Sequence, residues 1–120
     1  MNFNNIMIGS DNAKALADFY KRCFGDPMYT DDSYTTFQIG SGVVSVGEHS
    51  EVHGKNAEPG RFIWNIETDD VKGDFAKMKA AGATVVAEPY QLGEGDQTVW
   101  IATLADPDGN YFQLATPFPM

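Results

Sequence analysis

Cysteine occurs once in the 120 residues, at Cys23, so no disulfide can form within the chain. No apolar run approaches the roughly 20 residues that a membrane-spanning helix needs, so no membrane partner is expected. The opening stretch, MNFNNIMIGSDNAK, lacks the basic segment and apolar core of a secretory signal, and the expected location is cytoplasmic. Positive charge is scarce: Lys and Arg total 8 against 17 Asp and Glu, a formal net charge of -9. A surface of that sign repels phosphate backbones, which argues against nucleic acid as a partner. It would attract a cationic ligand only weakly, and solubility is the plainer reason for it. Nothing resembles a Ser–His–Asp arrangement, and GEGDQ is a hairpin tip too short for a phosphate loop.

What the chain does have is apolar and aromatic content, 42% and 12%, enough for a core in one compact domain. It also repeats itself. FNNIMIGSDN reads as a short strand in which Ile6 and Ile8 alternate with Asn5 and Met7, followed by the capping residues Ser10, Asp11 and Asn12. The helix AKALADFYKRCFG sets Leu16, Phe19, Tyr20, Cys23 and Phe24 on one face and stops at Gly25. The second half follows suit. RFIWNIET alternates with Phe62, Trp64 and Ile66 on one side. Asp69 or Asp70 caps VKGDFAKMKAAG, whose stripe is Val71, Phe75 and Met78 and whose stop is Gly82. Three strand-like pieces follow each helix: PMYT, YTTFQIG and GVVSVGE, then TVVAEPY, QTVWIATLA and NYFQLAT, with QLGEGDQ extending one hairpin. The order is βαβββ twice, an α+β fold. Module one spans 1–48, a polar linker 49–60, and module two 61–120. Two such modules would pair into a curved mixed sheet with helices outside and a concave cup inside.

GSDNAKALADFYKRCFG, IETDDVKGDFAKMKAAGA and the turn-plus-strand DPDGNYFQL together resemble the vicinal oxygen chelate superfamily: glyoxalase I, extradiol dioxygenases, fosfomycin-resistance and bleomycin-binding proteins. The resemblance covers essentially the whole chain, and the last motif is its most specific part. In the Asp106–Asn110 turn, Pro presets φ while Gly and Asn tolerate positive φ.

The resemblance implies four metal ligands, one on the first and one on the last strand of each module. Aligned on the helices and the DPDGN turn, they fall on Asn5 (Asn4 if the register slips), Val46, Ile63 and Gln113, where metal-using relatives usually carry His or Glu. Val46 and Ile63 have no donor atom, and the two amides are weak, neutral ligands for a divalent transition metal. No metal and no other cofactor is therefore expected. His49 and His53 stand four apart around Glu51, but Gly47, Gly54 and KNAEPG surround them, so they read as loop histidines rather than a helical zinc pair. His49, just past a strand end, could line the mouth of the cup.

Alternation then nominates a ligand face, Asn5, Met7, Ile63, Asn65, Glu67, Tyr111 and Gln113 with Ala115 beside them, to which the resemblance adds Val46. Glu67 is its only carboxylate among these. Buried, it would serve as a general base; otherwise it would pair with a cationic ligand or sit at the rim. Trp100 reads as core or as a cover for the ligand, and Cys23 as a buried inert thiol. The expected function is small-molecule binding of the bleomycin-resistance type without the usual metal. The alternatives are a lyase, isomerase or dioxygenase-type enzyme of the same superfamily with a metal-free or relocated metal site, and a scaffold that binds a protein. A two-fold homodimer is expected, because small relatives pair to complete the cup.

Overall fold

A computed structural model describes residues 1–94 and 98–117. The tip of the expected QLGEGDQ hairpin, residues 95–97, lies outside the described residues. The chain forms two compact units, one up to Gly54 and one from Lys55 onward. The first holds β1 (Ile6–Ser10), α1 (Ala13–Phe24), β2 (Tyr29–Thr30), β3 (Tyr34–Ile39) and β4 (Gly42–Glu48). The second holds a 3-10 turn (Pro59–Arg61), β5 (Trp64–Glu67), α2 (Val71–Ala80), β6 (Thr84–Leu92), β7 (Val99–Ala105) and β8 (Tyr111–Ala115). This is the expected βαβββ order, twice. Each module closes its own four-stranded mixed sheet, in the orders β1-β4-β3-β2 and β5-β8-β7-β6. In both, the first strand runs parallel to the last and the remaining pairs are antiparallel. No helix among the described residues is long and apolar enough to cross a membrane.

The helices start where short polar side chains replace missing backbone partners. The Asn12 side chain accepts from the Ala15 N–H, and the Ser10 hydroxyl accepts from the Asn12 N–H at 2.9 Å. In the second module Asp70, rather than Asp69, is the cap, accepting from the Gly73 N–H at 2.9 Å. Beyond the helices Gly25 and Gly82 take positive φ, 90° and 113°, which costs a residue without a Cβ little.

Each helix buries the stripe its spacing announced. Leu16, Phe19, Tyr20 and Cys23 are buried, and Tyr20 meets Phe37 of β3 edge-on at 6.4 Å. Phe24 is half-buried and stacks on Tyr20 at 6.0 Å. On α2 the buried residues are Val71, Phe75 and Met78. Beneath them Leu104, Phe112 and Leu114 are out of solvent contact, and Trp64 packs on Phe112 at 5.7 Å. Trp100 belongs to this side: Lys72 of α2 holds its ammonium 4.0 Å above the indole ring. Phe62 departs from expectation. Alternation expects it beside Trp64 and Ile66, yet it is 77% exposed. It ends the 3-10 turn, and β5 begins only at Trp64, so strand alternation does not reach it.

The expected linker divides between the two units. His49 folds back through its N–H to Ser10, and the Gly54 N–H bonds the Asp11 carboxylate at 2.7 Å, so 49–54 finishes the first module. Asn56 donates from its backbone to Asp108 at 2.8 Å and from its side chain to Asn110 at 3.0 Å, so 55–60 belongs to the second.

On the face of the first sheet away from α1, the Tyr34 ring lies across Gly47. A Cβ at Gly47 would stand 2.6 Å from the ring and 2.9 Å from the Ser33 carbonyl. Asp31 fixes the turn that presents Tyr34. The N–H of Tyr34, then that of Ser33, then the Tyr29 hydroxyl hold the Asp31 carboxyl below its ordinary range. A depressed value means that this turn is stabilised above the ordinary carboxylate range, and that the stabilisation is lost as pH falls through the lowered value.

Two outcomes follow from this packing. Phe19→Ala and Phe75→Ala, at sites 0% and 9% exposed, should each lose about 3–5 kcal/mol in a denaturant titration. A loss below about 1 kcal/mol at both, the range of surface changes, would mean that the helix faces are assigned wrongly. Gly47→Val should cost roughly 1–3 kcal/mol by displacing Tyr34 and crowding the Ser33 carbonyl, and Tyr34→Ala should relieve the part of that cost due to the ring. Additive losses in the double variant would show that the two residues are not in contact.

Candidate functional site

Strand pairing places the nominated residues on definite faces, because partners across a ladder point to the same side. In the second module the side away from α2 can be read row by row. One row crosses Asn65, Gln113, Thr103 and Ala87. The next crosses Glu67, Ala115, Ile101 and Tyr90, and on the other flank Tyr111, Ala105 and Thr84 align. Asn65, Glu67, Tyr111 and Gln113 therefore share one face, and Ile63, two residues before Asn65, precedes β5 on the same alternation.

The face is graded. Ile101, Thr103, Ala105 and Ala115 are buried, Tyr111 and Gln113 are half-buried, and Ile63, Asn65, Glu67 and Tyr90 are exposed. Small or buried groups on the two central strands thus make a floor, and longer side chains on the edge strands make a rim. The Gln113 amide meets the Thr103 hydroxyl at 3.3 Å. The floor opens at its Tyr111 end into a groove of about 490 Å³ lined by Lys55, Asn56, Thr84, Ala105, Asp106 and Tyr111 among others. The DPDGN turn builds that end. Asp106 Oδ1 accepts the N–H groups of Asp108 and Asn110 at 2.9 Å each, and Oδ2 accepts the Asn110 side chain at 3.0 Å. A buried carboxylate satisfied in this way holds the start of β8, and hence Tyr111, in place.

The first module repeats the arrangement with different residues. Met7, Ser45, Thr36 and Tyr29 form its central row, and Gly9, Gly47 and Tyr34 the next. The Thr36 and Ser45 hydroxyls are 3.0 Å apart, in the place of the Thr103–Gln113 pair. Asn5 just precedes β1 and is exposed, its amide bonded to Asn4.

Val46 is misplaced by the sequence reading. It is 1% exposed and shares the α1 side with Val44. Ile6 pairs with Val44 as Trp64 pairs with Phe112, so the counterpart of Gln113 is Ser45. A slip of one residue in a strand exchanges the faces. The signal was present in GVVSVGE, where a serine stands between two valines that both belong to the core. Thr103, Thr36 and Tyr90 join these faces without a signal in the sequence, since a threonine inside an apolar run such as VWIATLA reads as filler until its partner strand is known.

Neither histidine lies on a strand or helix, and both are exposed. The turn that begins at His49 lies over the end of β1: a Cβ at Gly9 would meet the His49 Cβ at 3.1 Å and a Val52 methyl at 3.3 Å. The His49 Nδ1 accepts the Glu51 N–H at 3.1 Å. The general-base role for Glu67 required burial, and Glu67 is exposed. The metal implied by the resemblance does not fit these donors. The second-module face offers two amides, hydroxyls and one carboxylate, and no group of three or more His, Cys, Asp or Glu able to hold a metal occurs among the described residues.

None of the curated proteins matches the sequence. Solved structures do. A glyoxalase/bleomycin resistance protein/dioxygenase family enzyme from Burkholderia phytofirmans PsJN is 21% identical over 98% of this chain and 100% of its own, with a TM-score of 0.76. A glyoxalase/bleomycin resistance protein from Albidiferax ferrireducens T118 is 18% identical over 96% and 98%, with a TM-score of 0.76. A glyoxalase-related enzyme from Fulvimarina pelagi is 18% identical over 98% and 89%, with a TM-score of 0.74. At these identities the likeness is one of fold. The model of the glyoxalase-like domain matches residues 5–115, nearly the whole sequence, and the chain belongs to that family.

Proposed function

We propose that this chain is a small-molecule-binding protein of the glyoxalase/bleomycin-resistance type, and that its ligand rests on the second-module face without a divalent transition metal. The observation that carries this reading is the row Asn65–Gln113–Thr103, neutral hydrogen-bonding groups set between a buried floor and an exposed rim. Ligand sites are mostly apolar recesses with a few placed polar groups, and this face has that make-up. Met7, with Ser45 in place of Val46, is the matching candidate on the first module, and Asn5 lies beside it. The reading includes a cytoplasmic setting, in keeping with a single cysteine and so no disulfide within the chain.

Gln113→Ala should weaken the ligand by about 1–3 kcal/mol, because a partner group loses its hydrogen bond while desolvated. Zinc, nickel, manganese or iron(II) should leave the melting temperature of untagged protein unchanged, since a species that binds only the folded state must raise it. One equivalent of metal that survives dialysis and is lost on mutating Asn5 or Gln113 would overturn the reading in favour of a metalloenzyme. Loss only on mutating His49 or His53 would move the site to the turn beyond β4.

We also propose a two-fold homodimer. Phe62, Met28 and Tyr29 are 77%, 59% and 56% exposed, large apolar surface that association would cover. Light scattering at micromolar concentration should give twice the 13.1 kDa chain mass, and a monomer there would refute it.

A further inference from the structure

The second-module face has a charge pattern that its small-molecule role does not by itself require. Of the eight Lys and Arg residues, three lie on α1 and three on α2; Lys55 and Arg61 fall in the segment before β5. No strand among the described residues carries a Lys or Arg. The α2 lysines are on the helix side of the sheet, where Lys72 covers Trp100. Arg61 is taken up by Glu58 at 2.7 Å. Lys55 lines the groove at the Tyr111 end, with Asp106 in the same lining. At the other end of the face stands Glu67, exposed and with no hydrogen bond or ion pair among the described residues.

Building on the binding reading above, we propose that the ligand is an organic cation, a protonated amine or amidinium on an apolar body, whose charged end pairs with Glu67 beside the Asn65–Gln113 amides. The geometry is compatible in three respects. Glu67 is next to Asn65's row, so a donor held by the carboxylate reaches the amide carbonyls, which accept N–H groups. Between Glu67 and Tyr90 the row passes over Ala115 and Ile101, both closed to solvent and without a polar side-chain atom, so an apolar body meets no competing polar group between the two exposed ends. Tyr90 closes the row three strand spacings from Glu67, roughly 14 Å, and its ring offers a π face to a cation or an apolar group. An anionic ligand would instead surrender its water against a lone carboxylate, with no cation on the strands to replace it.

The test uses three molecules of one shape and different charge: benzamidinium, benzamide and benzoate. Each is titrated into the isotope-labelled chain while the side-chain amide signals of Asn65 and Gln113 are followed. Benzamidinium should bind about tenfold tighter than benzoate, as attraction replaces repulsion at one carboxylate. Glu67→Gln should weaken benzamidinium about two- to fivefold, the range of an exposed ion pair, and leave benzamide unchanged. Glu94→Gln, with the same change of net charge at a residue beyond the end of β6 rather than on the Glu67 row, should leave all three unchanged. Benzoate binding as well as benzamidinium would overturn the proposal. So would equal losses in Glu67→Gln and Glu94→Gln, which would assign the effect to net charge. If Gln113→Ala weakens all three while Glu67→Gln changes none, the cation inference fails and the binding reading stands. If no molecule moves the amide signals, both fail.

Discussion

The parallel pairing of the first strand of each module with its last is the constraint on which the rest depends. β1 on β4 and β5 on β8 are the pairings that hairpins cannot make, since a parallel partner must be reached by a crossover. The helix supplies part of that path and lies on one side of the sheet. Once the parallel register is set, period-two alternation decides every face in the module. Ile6 with Val44, and Trp64 with Phe112, go under the helices. Met7 with Ser45, and Asn65 with Gln113, go to the other side.

This explains what was legible in the sequence and what was not. The helices were legible because their signals are local: a cap such as Asn12, a stripe such as Leu16–Phe19–Tyr20–Cys23, a stop such as Gly25. Gln113 was legible because DPDGN ties its strand to a turn a few residues away. Val46 was placed on the wrong face because the internal repeat was aligned one residue out of step: GVVSVGE marks Ser45 as the odd residue among valines, and the parallel register of β1 on β4 sets which side it takes. Phe62 failed for a related reason. RFIWNIET alternates throughout, but only a backbone partner from β8 turns alternation into a strand, and the pairing starts at Trp64. The linker looked like a loop by composition. Its Asn56 and Gly54 contacts are long-range hydrogen bonds to opposite units, again invisible to a local reading.

Charge follows the same division of faces. Lys21 and Arg22 end α1, and Lys77 and Lys79 lie in the last turn of α2, where cations complement the negative end of the helix dipole. The helix sides thus hold most of a small supply of positive charge for reasons of helix stability. The strand sides are left neutral or acidic as a consequence. An overall net charge of -9 would by itself speak only of solubility. Its uneven placement says more, because a ligand on a strand face meets the local groups rather than the average.

The two modules share one polar pair and differ beside it, and the difference bears on the proposed ligand face. Thr36 with Ser45 and Thr103 with Gln113 occupy matching positions. In the first module the adjoining row is Gly9–Gly47–Tyr34, and the tyrosine ring occupies the space that the glycine leaves. In the second the same row is Glu67–Ala115–Ile101, with two small or aliphatic floor residues and a carboxylate at the edge. The first module spends its recess on its own aromatic ring. The second keeps a methyl-lined floor beside an amide that Thr103 steadies, and Gln113 sits where that floor, the amide row and the groove behind Tyr111 meet.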